Sequence, residues 1–345
     1  MKKKYCFFIL CISSSLFAQP VRKTPQEIQA ELDSAETALA KAEQMFDPWY
    51  TGPLLTPSAS MVAPGYGTIQ PYFFINQNYA VFDEDRKSVP LAHDSFGFNP
   101  VLVLQFGVTD SVDTAVTMQT QTNWLEGKSA GGFGDIKCRV GFLIQPQTLY
   151  VPKMKFIIQE TFPTGKYQQL RTDALDGAGK GAYNTAFTFA MSKILFWTTA
   201  HPVNTRLALV YKIVQPLTVH GINAYGGGSD THGRVRPGSE FNADLGIEVS
   251  FDQHWVLATD FVYTAIGSTS FKGHLGTNTT GETAHVGKGF SDNFSLAPAL
   301  EYNWSSNLGI LAGVQFSVYG RNSSNFISTI LSLTYAFPVG PWNKS

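Results

Sequence analysis

The chain of 345 residues is 43% hydrophobic and 13% aromatic but only 15% charged, with 25 Lys and Arg against 26 Asp and Glu. Near-neutrality argues against a nucleic-acid partner. Beyond the N-terminus no run of 18 apolar residues occurs, which excludes a bundle of membrane helices. Apolar residues are instead spread one in two, as in a transmembrane barrel.

Residues 1–18 read as a secretory signal peptide. Lys2, Lys3 and Lys4 form the charged start, Tyr5 to Phe17 a short apolar stretch, and Ala18 a small residue for cleavage before Gln19. Removing the three lysines leaves 22 basic residues of the original 25 against 26 acidic, and Cys138 as the one remaining cysteine. An internal disulfide is thereby excluded. Mid-strand on the oily face, Cys138 reads as a small apolar residue.

Residues 19–47 form an amphipathic helical segment. Thr24-Pro25-Gln26-Glu27 is a capping box with proline at the first helical position. Ile28, Leu32, Ala35, Leu39, Ala42 and Phe46 then make one apolar seam in under three heptads, too short to be stable alone. The favoured reading is a periplasmic helix lying against the barrel or another protein. Self-association, and entry into the barrel as a plug, are the sharper alternatives. Residues 48–67, with Pro48, Pro53, Pro57 and Pro64 and three glycines, read as an extended tether and not as a packed element.

From residue 68 a two-residue period takes over. It defines about twelve strands, at 68–82, 95–108, 111–124, 132–145, 153–163, 182–197, 205–217, 239–251, 255–267, 290–304, 308–320 and 325–337. In the eighth, Phe241, Ala243, Leu245, Ile247, Val249 and Phe251 alternate with Glu240, Asn242, Asp244, Gly246, Glu248 and Ser250. In the last, Ile327, Thr329, Leu331, Leu333, Tyr335 and Phe337 oppose Ser328, Ser332, Thr334 and Ala336, with Ile330 the one intruder. Connections alternate between outer loops (83–94, 125–131, 164–181, 218–238, 268–289, 321–324) and inner turns (109–110, 146–152, 198–204, 252–254, 305–307), and four of the six outer loops exceed every inner turn. The expected fold is an all-β antiparallel transmembrane barrel of about 12 strands with an N-terminal periplasmic α-helix, both termini and the 338–345 tail lying in the periplasm. A soluble sandwich does not explain so few charges, nor Trp124, Trp197, Trp255, Tyr302, Trp304 and Tyr335 at strand ends, where interfacial girdles belong. The implied location is the outer membrane of a Gram-negative bacterium, with the lipid bilayer and the barrel-assembly machinery as partners. Glu160 and Lys193 sit on the oily parity; a bulge turning Glu160 inward, and snorkelling of Lys193 from a strand end, are the expected accommodations.

The inward face is unevenly charged. Lys137, Arg139, Lys155, Arg206 and Lys212 fall on early strands, and Glu240, Asp244, Glu248, Asp260 and Glu301 on later ones. Closed in chain order, the barrel has one basic and one acidic wall. These ten residues are the candidate pore lining, either pairing to fill the lumen or flanking a water-filled constriction. Enzyme motifs fail. Gly165-Lys166 and Gly179-Lys180 lack the upstream glycine and the Ser or Thr of a phosphate-binding loop, and no His-Glu-x-x-His occurs. His220, Asp230, His232, His274 and His285 cluster in predicted loops as the components of a minor alternative, a hydrolase at the rim. No catalytic residue, metal or cofactor is expected.

Gly132-Phe133-Gly134-Asp135-Ile136, followed by an alternating strand and Phe162-Pro163-Thr164-Gly165-Lys166, resembles the outer-membrane family known as the MetA pathway of phenol degradation, as does Leu296-Ala297-Pro298-Ala299-Leu300-Glu301-Tyr302 with Gly309 and Gly313. The resemblance spans residues 68–337. It implies a porin-like transporter of small, often aromatic or hydrophobic compounds. The expected function is passive uptake of small solutes; the alternative is a structural or surface-interaction protein with a closed lumen.

Overall fold

The computed structural model describes residues 23–45, 49–52, 54–148, 150–196 and 199–340. The expected signal peptide, Trp197 and the end of the C-terminal tail lie outside them. Helix α1 (Pro25–Met45) opens on the expected capping box: the Thr24 N–H donates to Glu27 Oε2 at 2.7 Å, and the Glu27 N–H to Thr24 Oγ1 at 3.3 Å. In its first half Ile28 is 47% and Leu32 52% exposed, so this part of the helix does not fill the barrel; the side chains of Leu39, Ala42 and Phe46 lie outside the described residues.

The strands are β1 (Tyr66–Phe82), β2 (Ser88–Thr109), β3 (Val112–Leu125), β4 (Lys128–Phe133), β5 (Ile136–Gln145), β6 (Lys153–Phe162), β7 (Asn184–Leu195), β8 (Val203–Val214), β9 (Leu217–His220), β10 (His232–Arg236), β11 (Glu240–Ser250), β12 (Trp255–Ile266), β13 (Ser270–His274), β14 (Ser291–Ser305), β15 (Leu308–Arg321) and β16 (Ser323–Pro338). β4 and β5 together make one wall strand, broken at Gly134 and Asp135. With β9, β10 and β13 set apart in their own small sheet, the wall has twelve strands. Each pairs antiparallel with its neighbours, and β1 pairs with β16 from Tyr66↔Pro338 to Phe82↔Ser323, closing the barrel. Closure pairs the wall strands on both sides except at β4, which pairs with β3 alone.

Alternation places the two faces as the period predicts. On β16, Ile327, Leu331 and Tyr335 are exposed outward, while Ser328 and Ser332 are buried inward. Leu209, Tyr211, Leu245 and Leu257 continue the apolar outer belt, a surface that only lipid solvates cheaply. At its inner rim Tyr302 packs between Trp255 (4.6 Å between centroids) and Trp304 (5.2 Å), the aromatic girdle expected from sequence.

Four details depart from the sequence reading. β2 starts at Ser88, not 95, so the first outer connection shrinks to residues 83–87. β3 and β4 continue as one hairpin through Glu126-Gly127, both at positive φ (50° and 74°), the conformation of a tight two-residue turn. The loops expected at 218–238 and 268–289 contain β9, β10 and β13. No bulge rescues Glu160: its register with Cys138 and Thr185 is unbroken, it stays on the outer parity, and the Thr185 hydroxyl donates to Oε2 at 2.6 Å. Lys193 does reach inward along the rim, donating to the Thr148 carbonyl at 2.6 Å.

Candidate functional site

The proline-rich segment is not a free tether. Residues 49–52 and 54–64 enter the barrel and run along its inner wall as an extended strap. The Thr51 N–H donates to Glu301, and the Thr51 hydroxyl to Asn303 Oδ1 at 2.6 Å. Asp260 accepts the Leu55 N–H at 2.9 Å and the Thr56 hydroxyl at 2.6 Å. The Ala59 N–H reaches Ser192 Oγ at 3.2 Å, Lys155 Nζ reaches the Ser60 carbonyl at 3.1 Å, and Pro64 bridges Gly107 in parallel. The strap thus sweeps from β14 past β12, β7 and β6 to β2. Pro57 and Pro64 suit it: proline keeps the chain extended and removes donors that the wall then need not satisfy.

The wall is shaped to receive the strap. A Cβ at Gly309 would fall 2.2 Å from Thr51 Oγ1, one at Gly313 2.8 Å from Leu54 Cδ2, and one at Gly107 2.1 Å from the Ala63 carbonyl oxygen. Leu54 packs against Ala258, Ala297, Ala299, Leu311 and Ile330, and Ala59 against Ala190 and Ala208. Ile330, the apolar intruder on the wet face of the last strand, is there because Leu54 covers it. Sequence reasoning missed this signal: Ile330, Leu311, Ala297 and Ala299 are apolar at lumen-facing positions on adjacent strands, and such a patch needs an apolar occupant.

All ten candidate lining residues fall on lumen-facing positions, but they do not form two opposed walls. Cations pair with neighbours on adjacent strands: Arg206 with Glu248 at 2.6 Å and Lys212 with Glu240 at 2.8 Å. Lys155 pairs at 2.5 Å with Asp113, a partner absent from the candidate set, and Gln105 joins Asp113 (2.9 Å) to Arg139 (3.1 Å). Asp260 and Glu301 hold the strap. Asp244 has a buried carboxylate oxygen with no hydrogen-bond partner, and no partner is seen for the Lys137 ammonium among the described residues.

Between strap and wall, at the inner end, lies a chamber of about 910 Å³. Trp49, Tyr50, Tyr66 and Tyr72 contribute aromatic surface; among the described residues Arg139, Lys153, Lys155 and Arg206 are its charged groups, and no Asp or Glu lines it.

The outer end is built differently. The two motifs that carried the family resemblance meet here: Asp135 Oδ1 accepts the Gly165 N–H at 3.0 Å, and Oδ2 the Lys180 N–H at 2.9 Å. The Thr164 hydroxyl donates to the Gly134 carbonyl at 2.8 Å while accepting the Ile136 N–H at 3.1 Å. Asp135 lies at the break in the fourth wall strand, and it folds the 163–183 loop inward, where Asn123 of β3 donates to the Leu175 carbonyl at 2.8 Å. Above sits the β9–β10–β13 sheet, cored by Val219, Val235 and Val286. It sets His220, His232 and His274 in one cross-strand row, with Asp230 3.2 Å from His274. Among the described residues no three His, Cys, Asp or Glu groups surround a common point. The Thr277 N–H, then the His274 contact, hold the Asp230 carboxyl below the usual aspartate range.

No family model matches the chain, the phenol-degradation family included, and no curated protein matches it in sequence. Among solved structures it is similar to an outer membrane channel from Pseudomonas putida F1, at 13% identity and TM-score 0.63, over 82% of this chain and all of that one. Weaker likenesses are to the translocator domain of autotransporter NalP from Neisseria meningitidis (10% identity, TM-score 0.42, 90% of this chain and 98% of that one) and to the β domain of the Bordetella autotransporter BrkA (8%, 0.45, 79% and 100%). At 13% identity the likeness to the Pseudomonas putida F1 protein speaks to the fold alone, that of an outer-membrane barrel.

Proposed function

We propose that the protein is an outer-membrane channel of a Gram-negative bacterium for passive uptake of small solutes. The observation that carries this reading is the chamber of about 910 Å³ inside a closed wall, large enough for a small organic molecule and lined by polar as well as aromatic groups. The similarity to the Pseudomonas putida F1 channel, a protein described as an outer membrane channel, supports it. The motif resemblance to the phenol-degradation transporters and the aromatic lining at Trp49, Tyr50, Tyr66 and Tyr72 support aromatic solutes. Lys137, Arg139, Lys155, Arg206 and Lys212, with Glu240, Asp244, Glu248, Asp260 and Glu301, are proposed to set the lumen's shape and field. Insertion by the barrel-assembly machinery and docking of α1 on a periplasmic partner or a second copy belong to the same reading.

A second reading, a closed interaction barrel, is favoured by one observation, the strap stitched across the inner end. Ion flux from KCl-loaded liposomes carrying the folded protein separates the two. The channel reading expects flux above that of empty liposomes; flux equal to theirs sinks it and leaves the closed barrel.

A further inference from the structure

The inner chamber is electrically one-sided, and the strap makes it so. Every lumenal carboxylate of this half is sealed: Asp113, Glu248 and Asp260 are 1% exposed and Glu301 is 0%. Asp113 is covered by its pairing with Lys155, and Glu248 by Arg206. Asp260 and Glu301 are capped by strap N–H and hydroxyl groups, so the strap screens the acidic part of the wall from the space it borders. The basic part is not screened. Arg139 and Lys153 line the chamber and keep exposed surface; Arg139 donates only to Gln105, and no carboxylate pairs with either among the described residues. A cavity bounded by low-dielectric walls focuses the field of the charges that face it. Two cations that share the chamber's lining with Tyr72, Tyr66, Tyr50 and Trp49 suit a negative head on a flat apolar body: guanidinium and ammonium pair with a carboxylate, and aromatic surface covers the rest.

We propose that the chamber is a binding site for a small aromatic carboxylate, with Arg139 and Lys153 as its specificity-determining cations. The proposal rests on the channel reading for its physiological sense, but its geometry is that of a site. The strap then acts as part of the selector: by covering Asp260 and Glu301 with its own N–H and hydroxyl donors it keeps those carboxylates out of contact with the solute.

The test is titration calorimetry on the folded full chain in a neutral detergent, using benzoate, the neutral benzamide and the cationic benzylamine as probes of one shape. Benzoate is expected to bind at one site at least tenfold tighter than either, and to weaken as KCl is raised. Arg139→Gln with Lys153→Gln should weaken benzoate at least tenfold and leave benzamide unchanged. Lys153→Gln alone, at the start of its strand, gives the same direction with the smaller risk to folding. No benzoate binding, equal binding of the three probes, or benzoate binding unmoved by the substitutions overturns the proposal. Binding is read without ion flux, so benzoate binding in a protein that carries none would sink the channel reading alone, and flux without benzoate selectivity would sink the site alone.

Discussion

The two ends of the barrel are both narrowed by chain, but by different physics. At the inner end an irregular segment is held by the wall itself, through carboxylates that accept its N–H groups and glycines that leave it room. At the outer end the 163–183 loop is tied to the wall by the Asp135 carboxylate together with Thr164 and Asn123, and capped by a small sheet with its own apolar centre. The inner strap is therefore inseparable from the lumen's electrostatics, whereas the outer cap is a nearly self-supporting body placed on the rim. Changes at the inner end should alter conduction and wall stability together. Changes at the outer end should alter the cap and leave the wall intact.

The largest expected effect comes from evicting the strap. Gly107→Leu puts a side chain where the Ala63 carbonyl now sits, 2.1 Å from the position of its Cβ, and should raise single-channel conductance severalfold. Next is Arg206→Ala, which leaves Glu248 buried without its ion pair. Such an uncompensated charge costs about 3–5 kcal/mol, to be read as a lower urea midpoint for unfolding in detergent. Arg206→Ala with Glu248→Ala should recover much of that loss.

At the outer end Asp135→Ala strands the Gly165 and Lys180 N–H groups, at about 1–3 kcal/mol for each that water does not reach. Limited proteolysis should cut the 163–183 loop faster while barrel unfolding is unchanged. The pH response is smaller. Asp230 has a depressed native value, so its contribution to the cap is complete above the ordinary aspartate value of about 4 and is lost as pH falls through the native one. Acidification from pH 6 to about pH 3 should lower the protection factors (exchange corrected for its intrinsic pH dependence) of Thr277 and the neighbouring cap amides, and Asp230→Asn should abolish that response. The smallest effect is expected from Leu32→Ser on exposed α1, which should leave barrel stability unchanged in the same urea titration.

The wall was readable because its cause is local. A barrel strand alternates by geometry, so Phe241 to Phe251 and Ile327 to Phe337 declare their faces without knowledge of their neighbours. The charged positions were readable for the same reason. Their pairing was not, because it depends on cross-strand register: Arg206 reaches Glu248 diagonally, from a position opposite Gly246. The strap was the hardest to see. Proline and glycine make a chain extended whether it hangs in solvent or lies along a wall, and what decides is contact with residues 130 to 250 positions away. Only Ile330 and the alanine and glycine positions facing the lumen hinted at an occupant. The break at Gly134-Asp135 was hidden for a related reason. Its alternation is intact on both sides, and the loop that Asp135 holds lies some thirty residues further along the chain.

The most direct measurement is single-channel conductance of the protein beside Gly107→Leu, in planar bilayers at matched salt. A strap that sets the lumen's cross-section predicts a small, steady conductance in the native protein and a severalfold larger one in the variant. Equal conductance in two folded proteins would contradict it and place the constriction at the outer cap.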